Sequence, residues 1–221
     1  EAFFDNDAGT HQSCTGVANQ LSQTFQCLAV CQAVGCPALV VHPYVDQNGD
    51  KEKEFFVNFN QYRALMPAAK KYEVKICLEN IPRWKNGYII NGCCTDVDEA
   101  CYYVDALNEE AGEEKFGFCF DVGHANVPGR DIKHDLKVLA DRVTILHIHD
   151  NDLIHDSHAI PYSMQIDFDG VVKALKEINY SGWFTLECVY YLPKFDKDTV
   201  FTGLQNMAAV ARKLAQMFEN M

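Results

Sequence analysis

The residues most suited to chemistry lie in the stretch HIHDNDLIHDSH, residues 147–158, which holds four histidines and three aspartates. It directly follows the apolar run 143–146 (VTIL). Imidazole and carboxylate groups are common ligands of divalent cations, but they are also common in solvated loops. The stretch therefore indicates either a metal site at the end of a strand or a polar loop.

Other polar side chains occupy equivalent places along the chain. Five short segments rich in β-branched or aromatic residues predict strands at 38–42, 74–79, 116–121, 143–149 and 183–187. A polar residue ends each of them, namely His42, Glu79, Asp121, His149 and Glu187. Because all five share this position, the sequence predicts that they meet at one edge of a sheet.

Segments with helical apolar spacing lie between and after the strands. They cover about 13–34, 55–72, 97–111, 132–140, 168–178 and 199–218. Alternating strands and helices predict a parallel sheet covered by helices. Functional side chains at the ends of many strands favour a closed barrel over an open sheet, which uses mainly its switch point.

We therefore predict an α/β fold, the (β/α)8 TIM barrel, with residues 1–221 forming one domain. A full barrel has eight strands. The sequence supplies five, or six if residues 2–4 end a further strand. We expect the first two or three βα units of the barrel to be missing from this chain.

Composition narrows the class of partner. The net charge is −12 and no run of Lys and Arg could follow a phosphate backbone, so we expect no nucleic acid partner. No apolar stretch reaches the roughly 18 residues that span a bilayer, and most of the ten cysteines fall within predicted helices and strands, as reduced thiols do. We expect a soluble, cytoplasmic protein without a membrane partner, and the sequence is compatible with a homo-oligomer.

Carboxylates and imidazoles that converge repel or desolvate one another unless a cation lies between them. Glu79, Asp121, His149 and Glu187 would form a hard ligand set for one divalent metal ion, Mn²⁺ or Mg²⁺, with Zn²⁺ or Co²⁺ also compatible. Taken singly, each residue is as well explained as a rim residue or helix cap. His147 and His149 face the same way on a strand, and we choose His149, nearer the rim, as the ligand and His147 as its packed partner.

Four motifs carry a family resemblance: LEN (78–80), FDVGHAN (120–126), HIHDND followed by DSHAIP (147–152 and 156–161) and LEC (186–188). Together they resemble the sugar phosphate isomerase/epimerase family of the xylose isomerase-like TIM barrel superfamily (AP endonuclease family 2). The resemblance implies a metal site made by Glu79, Asp121, His149 and Glu187. It also implies that His124 contacts the substrate and that Glu79 and Glu187 form the catalytic acid/base pair. It implies no organic cofactor.

The expected function is that of a metal-dependent isomerase or epimerase of a sugar or sugar phosphate, acting by proton abstraction α to a carbonyl. Residues expected to contact the carbohydrate substrate are His42, His124, Arg83, Trp84 and His158. For Arg83 and Trp84, a surface loop packed under the next helix is the alternative. Where this family usually has a glycine-rich turn, Pro161 is followed by residues 162–164 without glycine, which places the substrate class in question.

Three other functions stay open at this point. Endonuclease IV, a multi-zinc phosphodiesterase of the same superfamily, has a similar ligand set, so that His124, Asp156 and His158 could hold a second metal. The acidic charge counts against a DNA substrate. An inosose-type dehydratase and a non-catalytic sugar-binding barrel are the remaining alternatives.

Overall fold

The computed structural model describes the backbone of residues 14–221 and the side chains of residues 21–221. The expected strand end at residues 2–4 lies outside the described residues. Seven helices and seven strands follow in the order α1 (Cys14–Val34), β1 (Ala38–Val40), α2 (Lys51–Tyr72), β2 (Lys75–Glu79), β3 (Ile81–Lys85), β4 (Tyr88–Cys93), α3 (Val97–Ala111), β5 (Phe116–Asp121), α4 (Val122–Asn126), α5 (Ile132–Leu139), β6 (Val143–Ile148), α6 (Phe168–Glu177), β7 (Trp183–Leu186) and α7 (Val200–Glu219).

Five strands form one parallel sheet in the order β1-β2-β5-β6-β7. The chain passes from each strand of this sheet to the next through at least one helix: α2, α3, α4 with α5, and α6. This is the arrangement of a β/α barrel wall. All five strands match predicted ones, although β1 and β6 end before His42 and His149. Parallel pairing brings their carboxyl ends to one edge.

Alternation along the strands divides the side chains between two faces. The outward face carries Ile76, Leu78, Phe116, Phe118 and Phe120, all within 1% of complete burial, in the main hydrophobic core with the helices. Burying each such side chain stabilises the fold by about 1.5 to 3 kcal/mol. The inward face carries a smaller cluster, Ala38, Cys77, Cys119 and Ile145.

Capping residues fix the helix ends as the sequence signals indicate. Asp50, Asp96, Asp131 and Asp167 accept backbone N–H bonds at the first turns of α2, α3, α5 and α6. Gly112 closes α3 with φ 68°, a left-handed conformation that glycine adopts without strain.

Two features differ from the expectation. An antiparallel hairpin, β3–β4, follows Glu79 where the sequence indicated no strand, and α2 begins at Lys51 rather than near residue 55. The hairpin is short and interrupted by Pro82, and its apolar residues do not alternate regularly. Period-two patterning, the main signal of a strand, is therefore weak there.

No helix within residues 14–221 combines the length and hydrophobicity needed to cross a membrane. All nine cysteines whose side chains are described are free thiols.

Candidate metal centre

Four neighbouring strands bring the acidic residues together. Glu79 ends β2 and Asp121 ends β5, while Glu187 follows the last residue of β7. Strand register places Asp121 directly beside His147 of β6. These side chains point inward at the carboxyl edge of the sheet, where barrel enzymes place their active sites.

His147 is the imidazole at the centre of the carboxylates. Its Nδ1 lies 3.1 Å from Glu79 Oε1, 3.3 Å from Glu187 Oε2 and 3.9 Å from Asp121 Oδ2. One ligand atom from each of the four residues lies within 4.8 Å of the others, and all four residues are buried. We call this set of Glu79, Asp121, His147 and Glu187 the carboxylate centre.

His149, the imidazole expected as a ligand, lies beside Asp121. Its Nε2 lies 3.1 Å from Asp121 Oδ1, but the carboxylate centre takes its imidazole from His147. The reason is register: β6 ends at Ile148, and it is His147 that is paired with Asp121 in the sheet. His149 lies one step further along, past the end of the strand.

A second group adjoins the first through His149. The carboxylate of Asp156 lies 3.3 Å from His124 Nε2, 3.3 Å from His158 Nε2 and 3.7 Å from His149 Nε2. The rings of His149 and His158 stack with centroids 4.0 Å apart. We call His124, His149, Asp156 and His158 the histidine group; their ligand atoms also lie within 4.8 Å of one another.

Gly123 makes room for this second group. A Cβ added at Gly123 would lie 1.9 Å from Cε1 of His149. No side chain tolerates so short a contact with a buried ring, so the imidazole can occupy this place only because residue 123 is glycine.

The two glutamates of the carboxylate centre differ in pKa. Burial raises the pKa of Glu79, but the charges of His42 and His147 outweigh burial and hold that pKa well below its usual range. Burial, together with the charges of Asp121 and Glu79, raises the pKa of Glu187 to about 7, although His147 Nδ1 lies 3.3 Å from its Oε2. One carboxyl is therefore strongly acidic while the other titrates near neutrality.

The histidines are affected in the opposite sense. Burial lowers the pKa of His147 and His124, but neighbouring carboxylates, Glu79 for the first and Asp121 for the second, raise both well above the usual value. The pKa of His158 rises to about 9, because its bond with Asp156 outweighs burial. The protonated imidazoles therefore compensate the negative charge of the carboxylates. A bound divalent cation can supply this positive charge instead.

Several buried polar atoms form no regular hydrogen bond, although Glu79 Oε2, Glu187 Oε2 and His149 Nε2 each have an ionic neighbour 3.1 to 3.3 Å away. They are Glu79 Oε2, Asp121 Oδ2, Glu187 Oε2, Asp156 Oδ1 and both ring nitrogens of His149. Buried polar atoms are normally satisfied, and each unsatisfied one costs about 1 to 3 kcal/mol. Oxygen and nitrogen donors aimed at a common centre fit a divalent metal ion.

A family model described as xylose isomerase-like TIM barrel matches residues 9–219. The chain belongs to this family. Among curated proteins, an uncharacterized protein of Methanocaldococcus jannaschii, MJ1311, is 30% identical over 132 residues, which cover 59% of this chain and 42% of that protein. The chain thus spans less than half the length of this relative.

Solved structures share the xylose isomerase-like fold at low identity. The IolI protein with a bound zinc atom superposes with a TM-score of 0.71 at 21% identity, covering 95% of this chain and 72% of that one. A D-tagatose 3-epimerase-like protein superposes with a TM-score of 0.68 at 20% identity, covering 90% and 73%. The likeness confirms the predicted fold class, with five parallel strands of the barrel in the described residues.

The residues expected to contact substrate lie at different distances from the carboxylate centre. His42 places Nε2 3.1 Å from Glu79 Oε2, with its side chain 40% exposed. His158 is buried, and its Nδ1 bonds the backbone oxygen of Glu187. Arg83 is engaged by Glu54, with Nη2 2.5 Å from Oε2, whereas Trp84 is 56% exposed on the hairpin. His42 and His158 therefore border the site, and the guanidinium of Arg83 serves an ion pair.

Sequence reasoning did not single out the residues that hold the loop after β6. The buried carboxylate of Asp150 accepts backbone N–H bonds from Met164, Gln165 and Ile166 at 2.7 to 3.1 Å. Asn151 Nδ2 donates to the backbone oxygen of Gly123. The loop that carries Asp156 and His158 is thus fastened at both ends, and only the position of Asp150 directly after a strand could have indicated this role.

Another acidic group, Glu54 and Glu99 beside Cys93, already contains a cation. The ammonium of Lys51 lies 3.0 Å from Glu54 Oε1, 3.1 Å from Glu99 Oε2 and 3.0 Å from the backbone oxygen of Gly92. This group ties α2 to the hairpin and to α3, and its charge is compensated without a metal ion.

Proposed function

We propose that this chain carries the catalytic centre of a carbohydrate isomerase or epimerase that moves a proton α to a carbonyl. The observation that carries the proposal is the carboxylate centre: three carboxylates and one imidazole converge, buried, at the carboxyl edge of a barrel sheet. The neighbouring structures named as an epimerase-like protein and as zinc-bound IolI support it.

The two glutamates are suited to transfer the proton. A group whose pKa lies near the working pH exchanges protons most efficiently, and without a bound cation the pKa of Glu187 is about 7. Glu79 is held ionised by its imidazole neighbours and so can accept a proton only transiently. Two carboxyls driven to different pKa values are typical of an acid and base pair.

Glu79, Asp121, His147 and Glu187 would hold the divalent metal ion. When bound, it would polarise the substrate carbonyl and lower the cost of the developing negative charge. The protein's own residues bind and orient the sugar: His42 and His158 line the approach, while burial of the carboxylates excludes water. No organic cofactor is needed for this chemistry.

Proton exchange with solvent tests the proposal directly. We expect wild-type protein supplied with Mn²⁺, Co²⁺ or Zn²⁺ to exchange the α-proton of a ketose for deuterium in D₂O. Proton NMR measures this exchange over a panel of free and phosphorylated sugars. Glu187→Gln and Glu79→Gln keep the side-chain shape but cannot take up a proton. Each should slow exchange by at least about 100-fold, the usual contribution of a general base.

Glu177→Gln is the matched control, because Glu177 is on the surface and pairs only with Lys137 among the described contacts. It should exchange at the wild-type rate. Full exchange in both Glu79→Gln and Glu187→Gln would remove the glutamate pair from the mechanism.

The histidine group supports a second candidate function, a multi-metal phosphodiesterase. It offers four further ligand atoms beside the carboxylate centre, as a site with more than one cation requires. Metal analysis of the purified protein separates the two: we expect one bound ion for the sugar enzyme and more than one for the phosphodiesterase. Cleavage of a duplex with an abasic site would favour the second, against the expectation from the net charge of −12.

A further inference from the structure

A buried thiol lies beneath the carboxylate centre. Cys119 is two positions before Asp121 on β5, so both side chains point to the inner face. Cys119 is fully buried, and its sulfur lies within 4.8 Å of ligand atoms of Glu79 and His147. Catalysis by the glutamate pair uses no thiol, so the mechanism leaves this residue unexplained.

The two ring nitrogens of His147 face different surroundings. Nδ1 is the nitrogen within 3.9 Å of all three carboxylates. A metal ion held by those carboxylates therefore meets Nδ1, and the neutral ring then carries its proton on Nε2. Histidine ligands almost always donate this second N–H to an acceptor, which fixes the ring and its tautomer.

The sulfur of Cys119 lies within 4.8 Å of a ring nitrogen of His147 and adds to the effect of Glu79 in raising the pKa of that imidazole. Since Nδ1 faces the carboxylates, an acceptor for the second N–H of the neutral ring must meet Nε2. A sulfur acceptor is unusual, because carboxylates and backbone oxygens normally serve this purpose. Sulfur is a weak acceptor but a polarizable one.

We propose that Cys119 is a positioning residue of the metal site: its Sγ accepts a hydrogen bond from Nε2–H of His147 and so presents Nδ1 to the metal ion. The inference rests on the cation site of the proposed function and adds the residue that orients its imidazole. Cys119 itself touches neither substrate nor metal.

Substitutions at Cys119 separate this role from simple packing. Cys119→Val removes the acceptor at similar size, and Cys119→Ser restores one. Cys77→Val is the matched control, because Cys77 is equally buried in the same inner cluster on the neighbouring strand β2. The measurements are the Zn²⁺ dissociation constant by chelator competition and the Nε2–H signal of His147 in ¹⁵N-histidine NMR spectra of the Zn²⁺ protein.

We expect Cys119→Val to weaken Zn²⁺ binding by about tenfold, at the lower end of the range for such partners, and to lose the slowly exchanging Nε2–H signal. Cys119→Ser should recover both, and Cys77→Val should leave both unchanged. Equal behaviour of Cys119→Val and Cys77→Val would overturn the proposal. So would a thiolate-to-cobalt absorption band in the Co²⁺ protein that disappears in Cys119→Val, because Cys119 would then be a ligand.

Failure of the proposed function gives a different pattern. If wild type binds Zn²⁺ and the Cys119 variants behave as expected, but no sugar exchanges its α-proton, the positioning role stands and the catalytic proposal does not. A wild type that binds no divalent cation contradicts both.

Discussion

Asp121 is shared between the two candidate centres. Its Oδ2 faces His147 in the carboxylate centre, while Oδ1 lies 3.1 Å from His149 in the histidine group. Oδ1 also accepts a hydrogen bond from the backbone N–H of His124, and this bond caps the start of α4. A single side chain therefore links the metal ligands, the second group and a helix start, and its substitution should affect all three.

Gly123→Ala tests the histidine group at the scale of one residue. The added methyl would lie 1.9 Å from the His149 ring, so that the ring must move and with it the stacked His158. We expect a loss of about 1 to 3 kcal/mol in the free energy of unfolding, as in other overpacked sites. Urea denaturation followed by circular dichroism measures this loss.

Gly129→Ala is not a suitable control, because Gly129 has a positive φ of 77°. Ala125→Gly provides a better one, because it alters the same short helix without crowding the ring. If Gly123→Ala unfolds at the wild-type urea concentration, the close packing of His149 against residue 123 is contradicted.

At the scale of elements, loops rather than strands carry the polar networks that fix the site. The loop between β1 and α2 is built around Asp46, which is buried. Its carboxylate lies 2.7 Å from Lys53 Nζ, accepts the hydroxyl of Tyr44 at 2.8 Å and accepts the backbone N–H groups of Asn48 and Asp50. This network sets where α2 begins and holds the segment that follows His42.

Asp46→Asn should reveal the network through its pH dependence. The bond from Lys53 lowers the pKa of Asp46 well below its usual value. Because the folded pKa lies below the unfolded one, this stabilisation is complete only above the unfolded pKa of about 4, and it declines gradually as the pH falls from there towards the folded pKa. We expect Asp46→Asn to cost about 2 kcal/mol at pH 7 and less at pH 3, measured by urea unfolding.

Asp141→Asn serves as the comparison, since the Asp141 side chain is 94% exposed and its ion pair with Nη1 of Arg142 is long, at 3.8 Å. Its effect should be small at both pH values. A cost for Asp46→Asn that is the same at pH 3 and pH 7 would contradict an ionised Asp46 as the source of stability.

For the whole molecule, the site joins strands that are far apart in sequence. The contact between Glu79 and His147 spans 68 positions, and that between His158 and the backbone oxygen of Glu187 spans 29. A ligand that binds only the folded chain stabilises it by mass action. Binding of a cation at the carboxylate centre should therefore raise the free energy of unfolding of the whole chain.

We expect saturating Zn²⁺ or Mn²⁺ to raise the free energy of unfolding relative to protein treated with EDTA. The gain should reach about 2.7 kcal/mol when the free ion is at 100 times its dissociation constant. Asp121→Asn should abolish the gain, although the amide oxygen can still accept the bond from His124 that caps α4. An equal gain in wild type and Asp121→Asn would place the ion elsewhere.

The sequence predicted the sheet well because its strands are apolar runs of strand length ended by polar residues. It predicted the three acidic residues of the carboxylate centre for the same reason, since Glu79 and Asp121 end their strands and Glu187 follows directly after its own. It chose His149 over His147 as the imidazole, because the two face the same way on a strand and only the pairing of β5 with β6 places His147 beside Asp121. The hairpin β3–β4 and the anchoring by Asp150 depend on tertiary contacts that leave no periodic pattern.

The strand order has a kinetic consequence. No fragment of the chain shorter than the span from β2 to the residue after β7 contains the whole carboxylate centre, so cation capture during refolding cannot precede assembly of those four strands. A Co²⁺ absorption signal recorded in a stopped-flow experiment should thus lag behind helix formation and report the moment at which the distant segments dock.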